Sequence, residues 1–340
     1  MLGALLALAS GACFGLNIAA LRRGVLSASV LQAMTITVLF GVPAFAAAAL
    51  VFGAYPALAT MSVPAFGWMA AAGLVHFIGG RYSDYRATQA LGVALSTPVQ
   101  QFTVAVSLAL AVAFLNEHVT GLKMLGLLLM LAGPVALSMR RRQAEAAAAS
   151  KVFRPSFGPG IFWAAVSAVC YGTSPLLITL GLGAERTIAN AVAGGLVSYV
   201  AAAVVVIVMV VALGGLRFLR GFDPRASRWF LLSGLFVSFS QLLFYMALAL
   251  APVSVIVPLQ RLSVVFRVVF SGLLNHNAEI LDRFVLLAIL LSVIGAMCIS
   301  LDTGFVRAAL PWPEAVAEAL LRPWSVPGVA GVVAPQGSGE

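Results

Sequence analysis

The chain alternates long apolar runs with short polar joints, and the runs have the length that a bilayer demands. A helix needs about 20 apolar residues to cross roughly 30 Å of hydrocarbon. Runs of that kind fall near residues 2–21, 30–53, 66–88, 91–115, 119–139, 158–182, 188–214, 229–250, 252–274 and 283–301. The joints carry breaker chemistry at Tyr55-Pro56, from Gly181 to Arg186, at Phe222-Asp223-Pro224 and at Ala251-Pro252. The longest polar interruption, from Arg140 to Pro159, divides the ten runs into five and five. The pattern predicts an all-α membrane protein of ten transmembrane helices. Its parts are a first five-helix unit over 1–139, a basic linker over 140–157, a second unit over 158–301 and a polar tail over 302–340. In the tail, Glu314 to Leu321 reads as a short surface helix and 333–340 as disordered.

The two units resemble each other. Gly3, Ser10 and the triplet Cys13-Phe14-Gly15 recur as Gly160, Ser167 and Cys170-Tyr171-Gly172, 157 residues on. Trp68 and Gly73-Leu74 recur as Trp229 and Gly234-Leu235, an offset of 161. Thr97-Pro98-Val99-Gln100-Gln101 meets Val257-Pro258-Leu259-Gln260-Arg261, an offset of 160. Three matches in order at nearly constant offset argue for an internal repeat. Because five is odd, two such units must enter the bilayer in opposite senses.

Composition agrees with a lipid-facing surface: 62% of residues are apolar and only 9% charged, against about 25% charged in a soluble domain. The net charge of +9 falls in short loops, so it reads as an orientation signal and not as a nucleic-acid footprint. Basic residues follow the first run (Arg22, Arg23) and end the third (Arg81, Arg86). In the second unit they follow its second run (Arg217, Arg220, Arg225, Arg228) and its fourth (Arg283), while the linker adds Arg140, Arg141, Arg142, Lys151 and Arg154. The alternate loops hold only Lys123 and Arg186. The bias therefore switches phase between units, as an inverted repeat requires, and puts both termini on the side opposite the basic loops. Residues 2–21 have no charged leader before them and read as a retained first helix, which fits a bacterial inner membrane. Cys13, Cys170 and Cys298 lie inside apolar runs without metal spacing, and three His make no cluster, so neither cofactor nor metal is expected.

With ten spans, a five-plus-five repeat, proline-bearing fourth helices and the sequence Phe114-Leu115-Asn116-Glu117 closing the first of these, the chain resembles the EamA type of the drug/metabolite transporter superfamily. The resemblance covers about residues 2–301. It implies a central cavity between the halves and export or exchange of metabolites. Two departures stand out. The second unit has Leu274-Asn275-His276 where an acid is expected, and the charge count places both termini outside, whereas the family usually keeps them inside.

Function in lipid must come from polar groups kept off the lipid face. On a helix, Ser96, Gln100, Thr103 and Ser107 share one stripe, and Gln260, Ser263, Arg267 and Ser271 repeat it. Pro98 and Pro258 each remove an N–H, free a carbonyl one turn back and are expected to kink their helices there. Arg261, about ten residues into its span, and Arg267 are the sharpest features, because an arginine at mid-bilayer costs about 2.5–3.5 kcal/mol on insertion scales. They are candidates to meet an anionic substrate group, with pairing to carbonyls or an acid as the structural alternative. Arg81, Asp84 and Tyr85 share another face, where a local ion pair is the plainer reading. Asp84 is otherwise the counter-ion to Arg261 or Arg267, or a protonatable coupling group. Asn17, Ser174, His76, Gln101, Gln241 and Tyr245 are lesser candidates, with interhelical hydrogen bonding the default. The expected partners are the bilayer, a small anionic or zwitterionic solute, and a coupling proton or counter-substrate. The alternatives are an accessory subunit or a membrane enzyme acting on a lipid-linked substrate. An enzyme would need clustered acids or a Ser/His pair, and none is expected to converge.

Overall fold

The apolar runs fold as helices. The computed structural model describes residues 2–115, 117–139, 155–274, 283–300, 320 and 322–324. Helices α1 (Leu2–Val25) and α2 (Val30–Val51) cover the first two runs. A short α3 (Tyr55–Ala59) occupies the next joint, and the third run continues through α4 (Val63–Gly73), a π-helix (Leu74–Gly80) and α5 (Arg81–Leu91). The fourth run divides into α6 (Val93–Gln100) and α7 (Phe102–Leu115), with α8 (Gly121–Met139) after it. Then come α9 (Phe157–Leu182), α10 (Ile188–Ala212), the short α11 (Leu216–Arg220) and α12 (Pro224–Leu250). The ninth run again divides, into α13 (Val253–Arg261) and α14 (Ser263–Leu274), and α15 (Arg283–Ser300) closes the series.

Among the described residues, eight helical paths are long and apolar enough to cross a bilayer. Helices α8 and α15 occupy the fifth and tenth runs and pack on each other. The eighth run starts earlier than its apolar stretch. Asp223 accepts from the N–H groups of Arg225 and Ala226, so Pro224 opens the helix where its missing N–H costs nothing. Ser29, Ser62 and Thr187 cap α2, α4 and α10 in the same way. Beside the helices, Val119–Thr120 pairs antiparallel with Pro323–Trp324, bringing that part of the tail to the α7–α8 joint. The expected tail helix (save Leu320), residues 333–340 and most of the linker lie outside the described residues.

Packing crosses between the units. Helix α1 lies on α12 and α14, while α9 lies on the α4–α5 path and on α7. Helix α2 contacts α12 and α10, and α10 contacts α4. The repeated triplets supply the close approaches. A Cβ at Gly15 would meet Phe266 at 2.5 Å and the Arg267 backbone N at 2.9 Å; one at Gly172 would meet Val106 at 2.6 Å and the Thr103 carbonyl at 2.9 Å. Only glycine lets α14 and α7 come this near. Large apolar side chains such as Leu50, Val63, Val208 and Leu273 face outward, while Arg81, Asp84, Gln100 and Arg267 are fully buried. Polar groups are inside and apolar ones outside, the distribution that a lipid solvent imposes.

Candidate functional site

The site is built where the two broken paths meet. Their interruptions at Gln101 and Leu262 fall one turn past Pro98 and Pro258. There the backbone tightens to i,i+3 bonding. Gln101 N–H donates to the Pro98 carbonyl at 3.2 Å and Val104 N–H to that of Gln101 at 3.0 Å; Leu262 and Val265 repeat the pattern, both at 3.1 Å. Helices α6 and α13 therefore end inside the bundle, carrying Gln100 and Arg261 on their last turns. Both expected stripes turn inward: Ser96, Gln100, Thr103 and Ser107 are buried, as are Gln260, Ser263, Arg267 and Ser271.

Three elements converge on Arg267. Its Nη2 lies 3.3 Å from Asp84 Oδ1, its Nη1 donates to Gln100 Oε1, and Gln100 Nε2 donates to the same Asp84 oxygen. This ties α14 to α5 and α6. The local pair expected between Arg81 and Asp84 does not form. Helical side chains point back toward the N-terminus, so Arg81 lies over Phe77, 4.7 Å from the ring centroid. It donates to the Thr37 carbonyl at 3.3 Å and to the Tyr199 hydroxyl at 2.9 Å. Tyr85 donates to Thr37 Oγ1 at 3.1 Å. Arg81 is thereby satisfied by α2 and α10, and Asp84 is left for a partner far along the chain.

Arg261 is different. It is 5% exposed and stands over the Tyr171 ring at 5.3 Å, with no hydrogen bond to its guanidinium among the described residues. Arg267 stands over Phe14 at 5.6 Å, and the Phe14 and Tyr171 rings meet edge to face at 6.2 Å. Each arginine thus rests on the aromatic of one repeated triplet. Thr97, Gln100, Gln101, Arg261, Ser263, Val264 and Arg267 surround a cleft of about 160 Å³, too narrow for a water-sized sphere to settle. Three of its lining residues carry a buried N–H group without a partner among the described residues: Gln101 at Nε2, Arg261 at Nε and Arg267 at Nε. At this cleft the described residues leave no room for a solute.

The other expected residues are scattered around this core. Gln260 is buried with its carbonyl against Gly11, and the Thr103 and Ser107 hydroxyls are buried without partners. Asn17 accepts from Ser233 at 2.6 Å, joining α1 to α12. Tyr245 sits apart from the cleft, donating to Ser198 Oγ at 2.9 Å, which donates to the Met69 carbonyl at 2.6 Å. Gln241 is buried with both amide atoms unpartnered. A Ser/His pair does converge, against expectation: His76 Nδ1 and Ser174 Oγ are 2.7 Å apart, brought together by the π-helix packing on α9. The His76 ring lies 4.6 Å from that of Tyr171. No carboxylate hydrogen-bonds this imidazole among the described residues, so the pair lacks the orienting acid of a hydrolytic triad. Sequence reasoning missed Phe14, Tyr171, Thr37 and Tyr199. For the first two a signal was present, since both occupy the repeated Cys-aromatic-Gly triplets.

The model of the EamA-like transporter family matches residues 1–139 and 158–301. Twenty-two chains among solved structures match. One of them, titled only "Crystal structure of protein", is 19% identical with a TM-score of 0.60, and the alignment covers 87% of this chain and 95% of that one. That likeness is one of fold. No curated protein matches the sequence.

Proposed function

The chain belongs to the EamA-like transporter family, and from that membership we propose that it is a secondary transporter moving a small anionic or zwitterionic metabolite by alternating access. We read its ten spans as two inverted five-helix repeats. The main packing contacts between units have counterparts when the units are exchanged: α1 on α12 answers α9 on the α4–α5 path, α1 on α14 answers α9 on α7, and α2 on α12 answers α10 on α4. Helices α2 with α10, and α8 with α15, map onto themselves. The constant sequence offset and the phase switch in basic loops support the same reading.

One observation carries the substrate class. The unpartnered groups lining the central cleft, Gln101 Nε2, Arg261 Nε and Arg267 Nε, are all donors. Buried donors left unpaired cost about 1–3 kcal/mol each, more for charged groups, so they mark a place prepared for acceptor oxygens. A carboxylate or phosphate, carried by the solute as the cleft widens, supplies such oxygens.

The test uses purified protein in proteoliposomes offered radiolabelled pyruvate, succinate, glutamate and glycerol 3-phosphate beside the lipophilic cation tetraphenylphosphonium. Accumulation of at least one of the anions, without the cation, is expected. Movement of the cation alone would overturn the charge argument.

A further inference from the structure

We propose that Asp84 is a proton-coupling site: an incoming anion takes Arg267 away from it, and the freed carboxylate takes up a proton. The inference rests on the transport reading above and names the co-transported ion. In this structure Asp84 is 0% exposed, and among the described residues its one salt bridge is to Arg267. Its Oδ1 holds Arg267 and Gln100, while its Oδ2 is buried with no partner. Arg267 also lines the narrow cleft, and its Nε has no partner among the described residues, so an anion bound there competes with Asp84 for the same guanidinium.

Among the described residues no other cation forms a salt bridge with Asp84, and Arg261 acts on it only at longer range. On Asp84's own helix, Arg81 is committed to Thr37 and Tyr199, and Tyr85 donates to Thr37. From α1, Arg22 donates to the Thr88 carbonyl, and α2 offers Thr37. The π-helix holds His76, engaged with Ser174. From α9 comes Tyr171, from α6 the neutral Gln100, and from α13 Arg261, which stands over Tyr171. A carboxylate that lost Arg267 here would be a buried charge without an ion-pair partner, costing several kcal/mol. Such a group neutralises by binding a proton.

The cycle balances. On the loading side the anion binds Arg261 and Arg267, and Asp84 takes one proton from the same solution. After the bundle reopens to the other side the anion leaves, Arg267 returns to Asp84, and the proton is released there. A monovalent anion thus crosses with one proton and no net charge.

Wild-type protein is reconstituted into liposomes containing the pH dye pyranine and given pyruvate, succinate, glutamate or glycerol 3-phosphate. Labelled uptake is expected to acidify the lumen beyond protein-free liposomes, in fixed ratio to the anion moved. Whatever uptake Asp84→Asn retains should carry no protons, and Asp84→Glu should keep the ratio. In detergent, adding the transported anion to wild-type protein should raise an infrared band of a protonated carboxyl, whatever the fate of the variants. Uptake without acidification, an unchanged ratio in Asp84→Asn, or no such band overturns the coupling and leaves the transport reading standing. Uptake of none of the anions overturns both.

Discussion

The paths α6–α7 and α13–α14 share a backbone and differ in chemistry. Each carries a proline in its first piece, breaks one turn later, and turns a polar stripe into the bundle. Yet the first contributes Gln100, Gln101, Thr103 and Ser107, all uncharged, whereas the second contributes Arg261 and Arg267. The two paths share a means of ending helices inside the bundle, and only one of them carries charge there. Within that path the two arginines differ again. Arg267 is bound into a bridge with Asp84 and Gln100, whereas Arg261 stands over an aromatic face with no hydrogen bond to its guanidinium among the described residues. A paired buried arginine holds structure together, while an unpaired one is an expense that only a ligand relieves.

That division predicts opposite phenotypes. The largest effect on stability is expected from Asp84→Ala, which strips Arg267 of its acid. Breaking a buried pair from one side costs about 3–5 kcal/mol, so thermal unfolding in detergent should fall steeply, and adding Arg267→Leu should recover much of the loss. A double variant no more stable than Asp84→Ala would show that the bridge does not hold α14 to α5. Arg261→Gln should do the reverse. It removes an uncompensated charge, so the melting temperature should hold or rise. Charged hydrogen bonds are worth about 1.5–3 kcal/mol, so anion transport should be lost while the protein stays folded. An undiminished uptake rate by Arg261→Gln would remove that residue from the solute's path.

How much of this could be read from the chain depends on range. The stripe around Gln100 was legible because the 3.6-residue period fixes which side chains share a face, and mid-bilayer polarity forces that face inward. The positions of the proline-bearing paths were legible for the same local reason. The register of the breaks was not, because tightening at Gln101 and Leu262 is settled by packing against α9 and α1 as much as by Pro98 and Pro258. Partner choice was least legible. Spacing offers Arg81 to Asp84, in the order that is weaker on a helix, whereas the observed partner lies 183 residues away. The π-helix at Leu74–Gly80, which brings His76 to Ser174, has no marker beyond Gly79 and Gly80.

The comparison extends to the helix starts. Glu117, at the end of the first broken path, accepts from the N–H groups of Val253 and Ser254, both at 3.0 Å, and so caps α13. Lys123 adds a bond to Ser254 Oγ at 3.2 Å. A carboxylate at a helix N-terminus satisfies orphan donors and the helix dipole together. Losing such a cap costs about 2 kcal/mol at most. Glu117→Ala should therefore speed hydrogen exchange over 253–261 while leaving 93–100 as it was. Equal acceleration of both segments would mean that the carboxylate steadies the whole bundle and not this one half-helix.

The smallest expected effects separate the two arginines most finely, through the rings beneath them. Phe14 and Tyr171 hold equivalent places in the repeated triplets, but one lies under the bridged Arg267 and the other under the bare Arg261. A desolvated cation over a ring gains about 1–2 kcal/mol. If Arg267 meets the anion only after the bridge to Asp84 opens, while Arg261 is open to it from the start, that energy is spent differently at the two places. Phe14→Leu should lower the melting temperature and barely move the apparent KM for the anion. Tyr171→Leu should raise that KM several-fold with a smaller thermal shift, because the ring orients the free guanidinium toward the cleft. Matching shifts in both measurements for both variants would mean that the rings act only as packing, and that the asymmetry between the arginines stops at their hydrogen bonds.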